Sequence, residues 1–200
     1  MTAVVPARAP ELTEVPFADC CITADAQDAA LRVLRSGWVT TGREVLGFET
    51  EFASYVGAKH AVAVSSCTAG IELALRSLRL WPGARVLTST LTFCGAVHAI
   101  VHAGLWPVLV DVDPGTGLPT PETVADAARS CGGADAMVVV HWAGDPADVP
   151  ALAAAAELPL SRVVEDAAHA IGTSYRGRPV GSTSAATCFS FYATKNLPLG

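Results

Sequence analysis

The chain has 200 residues, an apolar, alanine-rich composition and a net charge of -6. That length allows one large domain or two small ones around a sizeable core, and the composition argues against disorder. Acidic charge spread along the chain speaks against nucleic acid as the main partner. No apolar run reaches membrane-spanning length, and no basic stretch followed by an apolar block opens the chain, so no membrane association is expected. Residues 1–22 read as an N-terminal arm, polar and proline-containing up to Glu14. The six cysteines, Cys20, Cys21, Cys67, Cys94, Cys131 and Cys188, form no metal-ligand or disulfide pattern. Reduced, mostly buried thiols in a cytoplasmic protein are expected instead.

From Thr23 to Arg35 the pattern is helical, with Ala30, Leu31 and Leu34 on one side. Trp38 to Gly42 follows as a glycine-bounded loop, whose Trp and two threonines either line a sugar-sized pocket or pack the loop onto the domain. Glu44 to Val56 is helical again, with Val45, Phe48, Phe52 and Tyr55 on one face and Gly57 as a stop. Ala61 to Val64 reads as a short strand, turning through Ser65–Gly70 into a helix over Ile71–Leu80. A small-residue turn at a helix start offers free N–H groups and the positive end of the dipole to a phosphate; a Ser/Thr N-cap explains it equally.

Further strands are predicted at Arg85–Ser89, Val108–Val112, Ala136–Val140, Arg162–Val164 and Cys188–Phe191. Helices fall between them: one through His98–His102, one opened by Thr120-Pro121-Glu122, and one from Asp148 to Glu157. Strands that are apolar on both faces and alternate with helices imply a mostly parallel sheet covered by helices on each side. In such α/β sheets ligands gather at the carboxyl ends of strands. Ser65–Gly70, Thr92-Phe93, Asp166–His169 and Ser190–Lys195 all leave a strand there.

Lys195 is one of only two lysines in the chain, the other being Lys59. It either opens an exposed loop or is a partly desolvated amine suited to forming a Schiff base with a carbonyl. A pyridine-aldehyde phosphate cofactor needs such an amine, an acid for its ring nitrogen, donors for its phosphate and a flat surface against its ring. Lys195, Asp166, Thr68 with Ala69 and Ser190, and Phe93 could supply these in turn. Asp166 could also be a helix cap, and His169 a structural hydrogen-bonding residue.

The segments SGWVTTG, AVAVSSCTAGIELAL, LTFCGAVHAI, PVLVDVDP, VVEDAAHAIGTSYRGRPVG and SFYATKNLPLG run in order through nearly everything after Thr23. In them the chain resembles the DegT/DnrJ/EryC1/StrS family of pyridoxal-phosphate-dependent sugar aminotransferases, and EDAAH followed by SFxxxKN is the most specific part. The likeness is nearest to members that aminate a 4-keto nucleotide sugar, of the 4-amino-4-deoxy-arabinose type. It implies the large domain of fold type I, the aspartate aminotransferase-like class, over residues 23–200.

Carried over by position, the resemblance makes Lys195 the Schiff-base lysine and Asp166 the partner of the pyridine nitrogen. It places His169 near the cofactor's 3-hydroxyl and Phe93 against the ring. Thr68 and Ala69 supply phosphate-binding amides with Cys67 alongside, Ser190 adds a hydroxyl, and Thr40 and Thr41 approach the substrate sugar. The implied reaction is a ping-pong transamination from glutamate, releasing 2-oxoglutarate, to a keto nucleotide sugar, in a cytoplasmic homodimer. A histidine in place of Lys195 would have pointed to a sugar 3-dehydratase. Family members continue well past the equivalent of Gly200, through another strand and a smaller C-terminal domain. The expectation is therefore a chain carrying most of the cofactor pocket, with an open apolar sheet edge, and not competent alone. Two other readings remain at this point: a non-catalytic, cofactor-binding or regulatory protein of the same fold, or a plain interaction module.

Overall fold

The computed structural model describes residues 22–198. The expected N-terminal arm, with Cys20 and Cys21, lies outside the described residues except for Ile22. Six helices and seven strands occupy the described chain: α1 Ala24–Ser36, α2 Arg43–Val56, α3 Cys67–Ser77, β1 Arg85–Ser89, α4 Cys94–His102, β2 Trp106–Val110, α5 Pro121–Ser130, β3 Ala136–Val140, α6 Val149–Ala155, β4 Val163–Asp166, β5 Ser174–Tyr175, β6 Arg178–Pro179 and β7 Ala186–Cys188.

Five strands form one parallel sheet in the order β2-β1-β3-β4-β7. β1 lies between β2 and β3, so the strand order changes direction there, the switch point at which open α/β sheets leave a crevice. Side chains alternate across the sheet. Val86, Val138, Val164 and Cys188 pack against Ile71 and Leu75 of α3 and Ala99 and Ile100 of α4. Leu87, Val110, Met137, Val139 and Val163 face the other way, onto Val124 of α5 and Val149, Leu152 and Ala153 of α6. The two layers that the doubly apolar strands imply are both present.

Several boundaries differ from the sequence expectations, each for a local reason. Ala61–Val64 belongs to neither sheet: Val62 and Val64 are exposed, and the Ala63 N–H is held by Glu49 Oε1 at 2.7 Å. A β-branched run becomes a strand only where a neighbour takes its ladder bonds, and no described strand does so here. α3 begins at Cys67 rather than at Ile71, because Ser66 caps it by accepting the Ala69 N–H at 3.1 Å. β2 starts at Trp106, two residues early; Pro107, which donates no hydrogen bond, is tolerated because among the described residues β2 has a neighbour on one side only.

β4 extends through Asp166, while the last strand covers Ala186–Cys188 rather than Cys188–Phe191. Its register ends where β4 ends, with Cys188 opposite Asp166. Phe189 and Phe191 then leave the sheet to meet Phe52 edge-on at 5.1 and 5.3 Å, and Phe52 stacks with Phe48. Tyr55, expected on the buried face of α2, is exposed. No residue of α1 is buried among the described residues, so the expected Ala30, Leu31 and Leu34 face is uncovered there. β5 and β6 form a hairpin absent from the sequence reading. Its turn, Arg176-Gly177, has positive φ at both positions, the geometry that matches strand twist in a two-residue loop. β7 is an edge of the sheet among the described residues, as expected, and its free edge ends in the buried Cys188.

Candidate active site

Asp166 is the last residue of β4, and strand alternation turns it towards the α3/α4 layer while Glu165 turns towards α5 and α6. Its side chain is buried, yet only one oxygen is engaged. Oδ1 accepts the Ala168 N–H at 3.1 Å and lies 3.7 Å from Cys67 Sγ, while the described residues make no hydrogen bond to Oδ2. Burial pushes the carboxyl above its usual range, and the Ala168 N–H, the Cys67 thiol and the nearby His169 and His141 only partly offset that.

α3 starts beside this carboxyl. The Ala69 N–H, expected to serve a phosphate, is taken by the Ser66 cap. The Cys67 and Thr68 N–H groups, at the positive end of the helix, make no hydrogen bond within the described residues. Thr68 Oγ1 and the Phe93 ring converge at the start of α4 with no side chain between them. A Cβ on Gly95 would lie 2.6 Å from Thr68 Oγ1 and 2.8 Å from the Phe93 ring. Phe93 is 71% exposed, so its ring offers an open face.

Lys195 is half-buried in the turn after β7, its N–H donating to the Tyr192 carbonyl at 2.8 Å. Its ammonium is close enough to act on two members of the group, lowering both the Cys67 thiol and the His169 imidazole. Burial first, and then Lys195, hold the His169 imidazole below its usual range against the pull of Asp166. The His169 ring also meets Trp142 edge-on at 6.3 Å. Ser190 is half-buried one turn before Lys195 and its Oγ accepts the Tyr192 N–H at 3.4 Å.

The structure thus gathers Cys67, Thr68, Phe93, Asp166, His169 and Lys195 at the carboxyl end of the sheet. It does not bring Thr40 or Thr41 to that group. Both are exposed on the loop between α1 and α2, where Trp38 Nε1 donates to the Thr41 carbonyl at 2.9 Å and its ring lies over Gly42. The described contacts of Trp38 stay within the loop, and Trp38 and Val39 are both exposed, so packing of the loop onto the domain is not seen among them.

Two features were missed from sequence. Gly95 keeps the space between Thr68 and Phe93 open; a small residue just after the aromatic that precedes a helix was the available signal. Behind Asp166, His141 Nε2 and Glu165 Oε2 lie 2.8 Å apart with both side chains almost fully buried. Ala147 donates its N–H to His141 Nδ1 at 3.1 Å, which places the imidazole proton on Nε2, facing the carboxylate. Thr187 Oγ1 donates to the second Glu165 oxygen at 3.3 Å. Burial pushes the Glu165 carboxyl up, but hydrogen bonds, those from His141 and Thr187 among them, more than reverse it, leaving it below its usual range.

The donor set suits a flat, anionic, nitrogen-containing ring. Asp166 has an unengaged oxygen, α3 has free N–H groups for an anion, Gly95 leaves room beside an exposed aromatic ring, and Lys195 brings an amine. Among the described residues no group of three or more His, Cys, Asp or Glu side chains could hold a metal ion. A model of the DegT/DnrJ/EryC1/StrS aminotransferase family matches residues 20–200. The chain belongs to this family.

It is 43% identical over 186 residues to the spore coat polysaccharide biosynthesis protein SpsC of Bacillus subtilis, a match covering 93% of this chain and 47% of SpsC. Among solved structures it is similar to Spr1654 of Streptococcus pneumoniae, determined in a PLP-form and a PMP-form. That likeness has 30% identity and a TM-score of 0.83, and covers 92% of this chain and 50% of Spr1654. DesI, solved in the presence of its TDP-sugar product, is 38% identical with a TM-score of 0.74, over 86% of this chain and 43% of DesI. The chain spans about half the length of these relatives. The fold is the aspartate aminotransferase-like one that the sequence implied.

Proposed function

We propose that residues 23–200 form the cofactor-binding large domain of a sugar aminotransferase, with residues 1–22 as an arm. Pyridoxal 5'-phosphate is the cofactor, glutamate the amino donor and a keto nucleotide sugar the acceptor. The observation that carries this reading is a half-satisfied buried carboxylate, Asp166, standing with Lys195 at the end of a parallel strand in a chain of this family. The PLP-form and PMP-form of Spr1654 support the cofactor, and DesI with its TDP-sugar product supports the substrate class. A cytoplasmic homodimer belongs to the same reading.

Bound there, pyridoxal phosphate supplies an electron sink for a carbanion formed next to nitrogen. Asp166 Oδ2 holds a proton on the ring nitrogen, which a buried carboxylate does better than a solvated one because its field is less screened. Lys195 Nζ would hold the cofactor and, when free, would be the base that moves a proton at the α-carbon of the amino acid. The N–H groups of Cys67 and Thr68 would hold the phosphate, with the Ser190 hydroxyl as a further donor. Phe93 shields one ring face from water, and His169, kept neutral, can hydrogen-bond the 3-hydroxyl. Thr40 and Thr41 reach the sugar only if their loop moves from the position Trp38 gives it.

Absorbance titration with pyridoxal phosphate tests the reading. Wild type should develop a band that glutamate bleaches, and Lys195→Ala should lose it. Folded wild type with no lysine-dependent band would overturn the cofactor assignment.

A further inference from the structure

Cys67 faces away from the phosphate end of the pocket. Its Sγ lies 3.7 Å from Asp166 Oδ1 and 3.4 Å from the Cys188 carbonyl oxygen. The first residue of α3 therefore touches the last residues of β4 and β7, which stand opposite each other in the sheet. The Cys188 carbonyl accepts the Ala167 N–H at 2.8 Å and Asp166 Oδ1 the Ala168 N–H at 3.1 Å, so each acceptor already holds one donor, and the carboxylate gains more from the S–H because it carries charge when ionised. One turn further along α3, a Cβ on Gly70 would sit 3.4 Å from Cys188 Sγ, so helix and strand are packed close enough to keep the thiol where it is.

We propose that Cys67 is a positioning residue for Asp166. Its S–H and the Ala168 N–H both fix Oδ1, so that Oδ2 is the oxygen presented to a ring nitrogen. The same residue opens the helix that meets the phosphate, so it ties the two ends of one cofactor pocket together. The inference rests on the cofactor reading above. A nucleophilic role does not fit: burial, then Asp166 and Cys188, push the Cys67 thiol far above its usual range against the opposing pull of Lys195. The sulfur stays protonated and serves as a donor.

The test compares dissociation constants for pyridoxal phosphate and for its 1-deaza analogue, in which carbon replaces the ring nitrogen. Wild type, Cys67→Ser and Cys67→Ala are titrated by absorbance, with Lys195→Ala as the baseline. Cys67→Ala should bind pyridoxal phosphate about three- to tenfold more weakly, and Cys67→Ser, which keeps a donor, within about twofold of wild type. The deaza analogue should not distinguish the three proteins. Equal weakening of both ligands in Cys67→Ala would assign the residue to packing and overturn the proposal, as would no weakening at all. Absence of lysine-dependent binding in wild type would instead overturn the cofactor reading. Should Cys67→Ala not fold, Cys67→Val fills the space without a donor and gives the same comparison.

Discussion

Glu165 and Asp166 are adjacent and both buried, at 1% and 7% exposure, yet their carboxyl groups are pushed in opposite directions. Glu165 faces the α5/α6 layer, where His141 and Thr187 each reach one of its oxygens. Asp166 faces the α3/α4 layer, where one backbone N–H and a shared thiol reach a single oxygen. Burial pushes both carboxyls up, and the donors facing Glu165 outweigh it whereas those facing Asp166 do not. A buried carboxylate with every oxygen satisfied belongs to the framework. One left half-satisfied at a strand end has capacity for a ligand, which is why the proposed function sets Asp166 against the ring nitrogen.

Substitution should separate the two residues most clearly. Glu165→Ala strands the His141 Nε2–H and the Thr187 hydroxyl in the core and should cost about 3 kcal/mol in denaturant unfolding. Asp166→Asn keeps an acceptor for the Ala168 N–H and removes a poorly solvated charge, so its stability should stay within about 1 kcal/mol of wild type or exceed it. Its affinity for pyridoxal phosphate should nevertheless fall by about thirtyfold, the loss expected on removing one charge from a buried pair. Similar destabilisation by both variants would break the contrast between framework and site.

Acid titration of stability gives a smaller effect that sharpens the same contrast. The folded Glu165 carboxyl sits below its usual 4.5, so its contribution is present above that pH and is lost as pH falls through the folded value. The folded Asp166 carboxyl sits above its usual 3.8, so ionising it costs stability progressively as pH rises from there. The deficit of Glu165→Gln relative to wild type should therefore shrink in acid, while the advantage of Asp166→Asn should grow towards neutral pH. Unfolding midpoints across that range read both, and parallel curves would mean that the facing donors do not set the difference.

The doubly apolar strands were enough to predict the two-layer parallel sheet, and the scarcity of lysine drew attention to Lys195. Asp166, His169 and Phe93 stood out as candidates because they lie at or just past strand ends, where such a sheet leaves an opening. The buried His141–Glu165 pair was not, because its partners are separated by a helix in sequence and only the register of β3 and β4 joins them. The doublet Glu165-Asp166 did carry a signal: neighbouring residues on a strand cannot face the same layer, so one acid had to find partners on the far side. Ala61–Val64 failed for a related reason, since composition scores a residue's fitness for a strand but not the presence of a neighbour. At α3 the boundary moved because a single hydroxyl, Ser66, captures an N–H and starts the helix a turn early.

The smallest expected effect on stability falls on Gly95, where the contrast can be tested without touching a charge. It occupies the first turn of α4, so alanine there meets no backbone penalty and even favours the helix. Its added methyl would stand at 2.6 Å from Thr68 Oγ1 and 2.8 Å from the Phe93 ring, distances at which something must move. The Phe93 ring is exposed and can swing away into solvent, whereas Glu165 and its partners have no such freedom. Gly95→Ala should consequently leave the unfolding free energy within about 0.5 kcal/mol of wild type, the helix gain offsetting the displaced ring. It should raise the dissociation constant for pyridoxal phosphate about fivefold, since the displaced ring and hydroxyl lie where the proposed cofactor would meet them. A loss of stability with unchanged affinity would mean that the space between α3 and α4 serves packing, and that the ring face of the site lies elsewhere.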